Sequence, residues 1–209
     1  MAIAIIARPK TPSGFKLILA FSGAFLLGIT LFHLMPSVFN APNFEAGLWI
    51  MGGLLLQIIL ENTSQGVEHG HHHNNKFTDT FPVFIWFSLC IHAFIEGMPL
   101  NDDNALVWGI LIHKIPVGMV LIFVLWNAKA KRSTIIFGLL LFSIMTPLGS
   151  LFSKFIIPTK AYQNPVNSIV IGMLLHIATT IFFESNQGHK FNLKKMLVIL
   201  MAIGIAYFI

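Results

Sequence analysis

The chain has 209 residues, 56% of them hydrophobic and only 10% charged, with a mean hydropathy of +0.79. That balance excludes an ordinary soluble domain and describes a membrane bundle. The net charge of +5 needs no nucleic-acid partner, and one cysteine, Cys90, supports no disulfide.

In chain order, hydropathy divides the sequence into spans at 16–38, 46–64, 80–99, 105–126, 134–156, 165–185 and 193–209. Each is near the ~20 residues a helix needs to cross a bilayer. The predicted fold class is therefore all-α, a polytopic membrane helix bundle of seven spans. Residues 1–209 read as a single transmembrane domain, with a His-rich loop at 66–79. Met1 to Ala7 are apolar but too few to cross, and they lack a small-residue cleavage pattern. They look less like a signal peptide than like the stub of a further span.

Orientation follows from the basic residues. With the amino end cytoplasmic, Arg8, Lys10, Lys16, Lys76, Lys129, Lys131, Arg132, Lys190, Lys194 and Lys195 fall on the inner side. Lys154 and Lys160 fall outside, and Lys114 lies within a span. This positive-inside bias predicts a cytoplasmic amino end and an external carboxyl end. The acidic inner leaflet of the bilayer is a sufficient partner for these cations.

The polar residues within the spans then form a series of depths, a path of possible metal ligands from outside to inside. His33 lies near the outer end of the first span, just before Pro36. His92, Glu96 and His113 lie in the outer-to-middle zone of the third and fourth, and His176 near the middle of the sixth. Glu61 and Glu184 lie toward the cytoplasmic ends of the second and sixth, and beyond them the loop carries His69, His71, His72 and His73. Each has a bland reading. A lone intramembrane histidine can simply hydrogen-bond a neighbour, an interfacial glutamate can reach water or a lysine, and a His-rich loop can be a polar linker.

The cluster at the third and fourth spans is harder to dismiss. His92 and Glu96 are four apart in His92-Ala-Phe-Ile-Glu96-Gly97, hence on one helical face. The connection to the next span is short, so the two spans are antiparallel neighbours. His113, in His113-Lys114-Ile-Pro116, then comes to about the depth of His92. Ionisable groups are costly inside a bilayer, and two imidazoles and a carboxylate at one level describe a divalent-metal site. Pro116 frees the carbonyl of Ile112 beside that site, while Gly97 and Gly118 allow close helix approach.

These residues resemble the ZIP (Zrt-, Irt-like) family of divalent-metal transporters. The family carries a His-x-x-x-Glu-Gly pattern on its fourth helix, matched by His92, Glu96 and Gly97, and a His-led, Pro-containing pattern on its fifth, matched by His113 and Pro116. His33-Leu-Met-Pro36, Thr146-Pro147-Leu148-Gly149 and the loop histidines are similar to further family features. The resemblance makes the seven spans the second to eighth of eight family helices, with the first missing or reduced to Met1–Ala7. It implies metal uptake into the cytosol by an elevator-like motion, in an integral protein of the plasma (inner) membrane, and leaves a homodimer open.

Two departures bear on the metal. Val117 stands where many members place a carboxylate, and Ala93 and Lys114 stand where many place Asn or Asp for a second ion. A lysine there resembles the His-Lys branch of the family, thought to hold one metal. Its ammonium can occupy the second cation's place and balance Glu96. Imidazole and carboxylate ligands suit Zn²⁺, and also Fe²⁺, Mn²⁺, Co²⁺ or Cd²⁺. No nucleotide-binding motif is present, so no nucleotide is expected to drive movement, and no enzyme activity is expected. The rival readings are a seven-span intramembrane zinc hydrolase and a metal sensor or defective transporter homologue. The hydrolase would need a His-x-x-x-His pair that His176 does not form.

Overall fold

A computed structural model describes residues 12–42, 44–64, 82–101, 104–156, 160–184 and 193–209. Met1–Ala7 and the histidines of the 66–79 loop lie outside the described residues. A chain in a bilayer must satisfy its backbone polar groups internally, and among the described residues it does so with helices alone. Helix α1 runs Pro12–Ile29, passes through a π-helical turn at Thr30–Leu34 and ends as Met35–Phe39. It is followed by α2 (Ala46–Ser64), α3 (Val83–Glu96) with a 3₁₀ turn at Met98–Asn101, and α4 (Asn104–Asn127). Then come α5 (Arg132–Ile156), α6 (Lys160–Glu184) and α7 (Leu193–Phe208).

Among the described residues the helices match the predicted spans in number and differ at their ends. The third span closes at Glu96 in α-helix because Gly97 and Pro99 follow, and the chain tightens into the 3₁₀ turn. Helix α6 starts at Lys160, ahead of the predicted 165, with Pro165 in its second turn, where it forgoes one hydrogen bond. In α1 the π turn precedes Pro36, and the N–H of Met35 reaches Thr30 O, so the widened turn accommodates the proline ring. Six of the helices are long and apolar enough to cross a membrane, and α7 has 16 residues. Their outward faces present Trp49, Ile59, Phe84, Phe137, Phe155 and Leu197. With lipid as the outer solvent, such exposure costs nothing.

The buried residues form two cores. One joins α1, α6 and α7 through Phe25, Ile29, Leu174, Ile177 and Ala202, and takes in Leu106 and Ile110 from the first half of α4. The other joins α3 and α5 through Leu89, Ala93, Leu139 and Phe142, and takes in Val117, Leu121 and Leu125 from the second half of α4. Helix α4 thus changes core between Ile110 and Val117, and His113 and Pro116 lie in that changeover.

Helix contacts are closest where glycine lets backbones touch. A Cβ on Gly53 of α2 would stand 1.9 Å from Ile169 O on α6, and one on Gly172 of α6 2.0 Å from Ile50 O on α2. Such small-residue crossings replace the hydrophobic drive that lipid removes.

Candidate metal centre

Helix α3 presents His92 and Glu96 on one face, one turn apart, and α4 sends the side chain of His113 to meet them. All three side chains are buried, at 2%, 2% and 1% relative exposure. Each offers one ligand atom, and those atoms lie within 4.8 Å of one another. The two imidazoles meet edge to face, with ring centroids 6.2 Å apart and planes at 80°. Such a cage of nitrogen and oxygen, without sulfur, suits a borderline divalent ion.

The electrostatics of the cage are asymmetric. His92 Nδ1–H donates to Gln57 Oε1 on α2 at 3.1 Å. In the neutral ring Nε2 is then an acceptor, and it faces Glu96 Oε2 at 3.2 Å. A protonated ring donates Nε2–H to that oxygen; in the neutral ring two acceptors face each other, an arrangement that a cation between them relieves. The other carboxylate oxygen, Glu96 Oε1, lies 3.2 Å from the ammonium of Lys114. Lys114 also donates to Thr146 Oγ1 on α5 and lies over the ring of Phe142, 4.7 Å from its centroid. Thr146 Oγ1 donates to Ala93 O at 2.8 Å, with Glu96 Oε1 at 3.2 Å. One carboxylate thus has a lysine on one side and two imidazoles on the other.

Thr146 reaches the centre because α3 and α5 touch backbone to backbone. A Cβ on Gly97 would stand 2.2 Å from Thr146 O, and one on Gly149 1.9 Å from Phe94 O. Trp86 Nε1 donates to Gly138 O at 3.0 Å and pins the same pair further along.

The remaining sequence candidates lie elsewhere. Glu61 and His176 meet each other, Oε2 to Nε2, between α2 and α6. Glu61 is one turn beyond Gln57 on α2, toward the Ser64 end. His33 Nε2 donates to Ala206 O on α7 at 3.0 Å. Glu184 closes α6. His69, His71, His72 and His73 lie outside the described residues.

Against this geometry, the sequence model of the ZIP zinc transporter family matches residues 78–209, more than half of the chain. The chain belongs to the ZIP zinc transporter family. No curated protein matches it. The ZIP match includes α3, α4 and α5, and hence His92, Glu96, His113, Lys114 and Thr146. It does not include His33, Gln57, Glu61 or the loop histidines His69, His71, His72 and His73. An integral membrane protein and a divalent-metal substrate follow from ZIP membership and the apolar helices.

Two contributors escaped the sequence reading. Gln57 was legible only as one amide in the apolar run Leu54-Leu-Leu-Gln57-Ile-Ile-Leu60, a costly placement in a membrane helix. Thr146 stood out only as part of a weak Thr-Pro-Leu-Gly match.

Proposed function

We propose that the chain carries zinc across the membrane into the cytosol, one ion at a time, on His92, Glu96 and His113. One observation carries this reading: two imidazoles and a carboxylate converge within 4.8 Å, fully buried, between helices made for a bilayer. An ion entering that cage exchanges its water shell for two nitrogens and one carboxylate oxygen. Lys114 stands in for a second metal. Its ammonium neutralises Glu96 on the Oε1 side, so the ion is held by partly compensated charge and leaves readily. Binding that is neither tight nor charge-rich is what a carrier needs.

On release, Glu61 and His176 are the next donors on the path, with His69, His71, His72 and His73 beyond them on the cytoplasmic side. The contact of Glu61 with His176 on the side of α2 leading away from the centre supports that order. The excess of basic residues in one set of predicted connections supports a cytoplasmic amino end, and we place the chain in the plasma (inner) membrane. The chain moves its ion without transforming it, and Fe²⁺, Mn²⁺, Co²⁺ and Cd²⁺ compete for the same nitrogens and oxygen.

Uptake of ⁶⁵Zn into proteoliposomes tests the reading. Saturable accumulation above protein-free vesicles, reduced by the competing ions, is the expected result. A protein that binds zinc and accumulates none would contradict transport.

A further inference from the structure

We propose that Gln57 is a positioning residue that sets the tautomer of His92 and makes zinc affinity depend on the contact between α2 and α3. The inference rests on the metal-site reading above and goes beyond it in adding a residue outside the ligand set and outside the family match.

Gln57 Oε1 has only lone pairs to offer, so the 3.1 Å contact requires the proton to sit on His92 Nδ1. In the neutral ring, the form that binds a metal, Nε2 keeps its lone pair toward Glu96 Oε2, 3.2 Å away, and in the protonated ring Nε2 donates to that oxygen until an ion displaces the proton. Nε2 is thus the ligand nitrogen, and Gln57 is the partner that orients the ring and raises its basicity. Outer partners of this kind are commonly worth a 10–100-fold change in metal affinity.

The position of Gln57 is itself held from two sides. One turn before it, Gly53 sits against the backbone of α6. One turn after it, Ser88 of α3 donates to Leu60 O at 2.7 Å, and Thr63 donates to Ser88 Oγ at 2.9 Å. Gln57 and Leu60 on α2 therefore face His92 and Ser88 on α3 as a short polar seam. Gln57 is wholly buried in it, at 0% exposure. The seam joins α2, which packs on α6, to α3, whose own core is shared with α5. Parting α3 from α2 would remove the acceptor from Nδ1 and weaken the hold on the ion, so movement along this seam and release are linked through one hydrogen bond.

The test is a titration of Co²⁺ alone into the purified full chain in detergent, read by the visible absorption of the bound ion. Gln57→Leu, which keeps the bulk and loses the acceptor, is expected to weaken binding 10–100-fold. Gln57→Glu, which keeps an acceptor at the same reach, is expected to bind at least tenfold more tightly than Gln57→Leu. In the metal-free protein, ¹⁵N-histidine spectra should show the Nδ1–H form at His92 and lose that preference in Gln57→Leu. Should Gln57→Leu not fold, Gln57→Asn withdraws the amide by one methylene and is expected to weaken binding in the same direction. Wild-type affinity in the folded leucine or asparagine variant overturns the inference. So does equal weakness of Gln57→Leu and Gln57→Glu, which would mark a packing role. Glu96→Ala separates the two levels. If it loses Co²⁺ while Gln57→Leu does not, only the role of Gln57 fails. If Glu96→Ala binds Co²⁺ as the wild type does, the metal site fails and this inference with it.

Discussion

Glu96→Ala is expected to reduce zinc uptake to the level of protein-free vesicles and to weaken zinc binding by more than ~100-fold, while leaving membrane insertion intact. A dication and a carboxylate about 4 Å apart attract by roughly 8 kcal/mol at an effective dielectric of ~20. Even a large discount for the water each must shed leaves several factors of ten. The substitution also strands Lys114, whose ammonium is held by Glu96 Oε1 at 3.2 Å. Removing one member of a buried pair costs about 3–5 kcal/mol because the remaining charge is uncompensated. The vacated cage then holds two imidazoles beside an unbalanced cation and repels an incoming ion. Insertion is set by the hydropathy of whole spans, which one alanine improves. Calorimetric zinc titration and uptake, run together, check both parts. Zinc bound with wild-type affinity would remove Glu96 from the ligand set.

The second large effect concerns a residue that touches no metal. Gly149→Ala is expected to lower the thermal stability of the chain in detergent and to weaken zinc binding with it. The added Cβ would stand 1.9 Å from Phe94 O and 3.4 Å from Gly97 Cα, so α3 and α5 must separate. Overpacking of this kind costs about 1–3 kcal/mol. Here the obstacle is backbone, which cannot rotate aside. Separation also carries Thr146 away from Lys114 and Glu96, which it joins. Gly204→Ala in α7 is the control, because its Cβ would meet nothing within 4 Å. Alanine there gains about 0.5–1 kcal/mol of helix propensity, so the two substitutions should shift the melting temperature in opposite directions. Equal shifts would remove the crossing from the account.

Much of this architecture was legible in the sequence because a bilayer leaves few choices. Hydropathy located each helix to within about five residues, and the ends that moved most lie by prolines: Pro12 at the start of α1, Pro82 and Pro99 on either side of α3, and Pro165 in the second turn of α6. The spacing of His92 and Glu96 determines their shared face. A short connection predicts α3 and α4 packed side by side; instead α3 packs on α5 and α2, and α4 mainly on α1, and His113 still comes to His92 through its side chain. Periodicity says nothing, however, about which helices meet when they are distant in sequence. His33 and His176 both read as steps on a path. The first is bonded to the carbonyl of Ala206 and the second to Glu61, 115 residues earlier. Gln57 reaches His92 across 35 residues and Thr146 reaches Glu96 across 50. Those pairings depend on the crossings at Gly53, Gly149 and Gly172, where the lack of a side chain decides which backbones touch. A glycine in a sequence does not name its partner.

The most direct test of the central claim is the number and ligation of zinc ions on the purified chain. It is best done with His69, His71, His72 and His73 replaced by alanine, so that the loop binds none. Zinc content and zinc K-edge absorption should show one ion per chain, with two imidazoles and oxygen as ligands and no sulfur. Lys114→Asp should admit a second ion. Two ions on the chain with Lys114 intact, or a zinc environment unchanged when both His92 and His113 are replaced by alanine, would contradict the account.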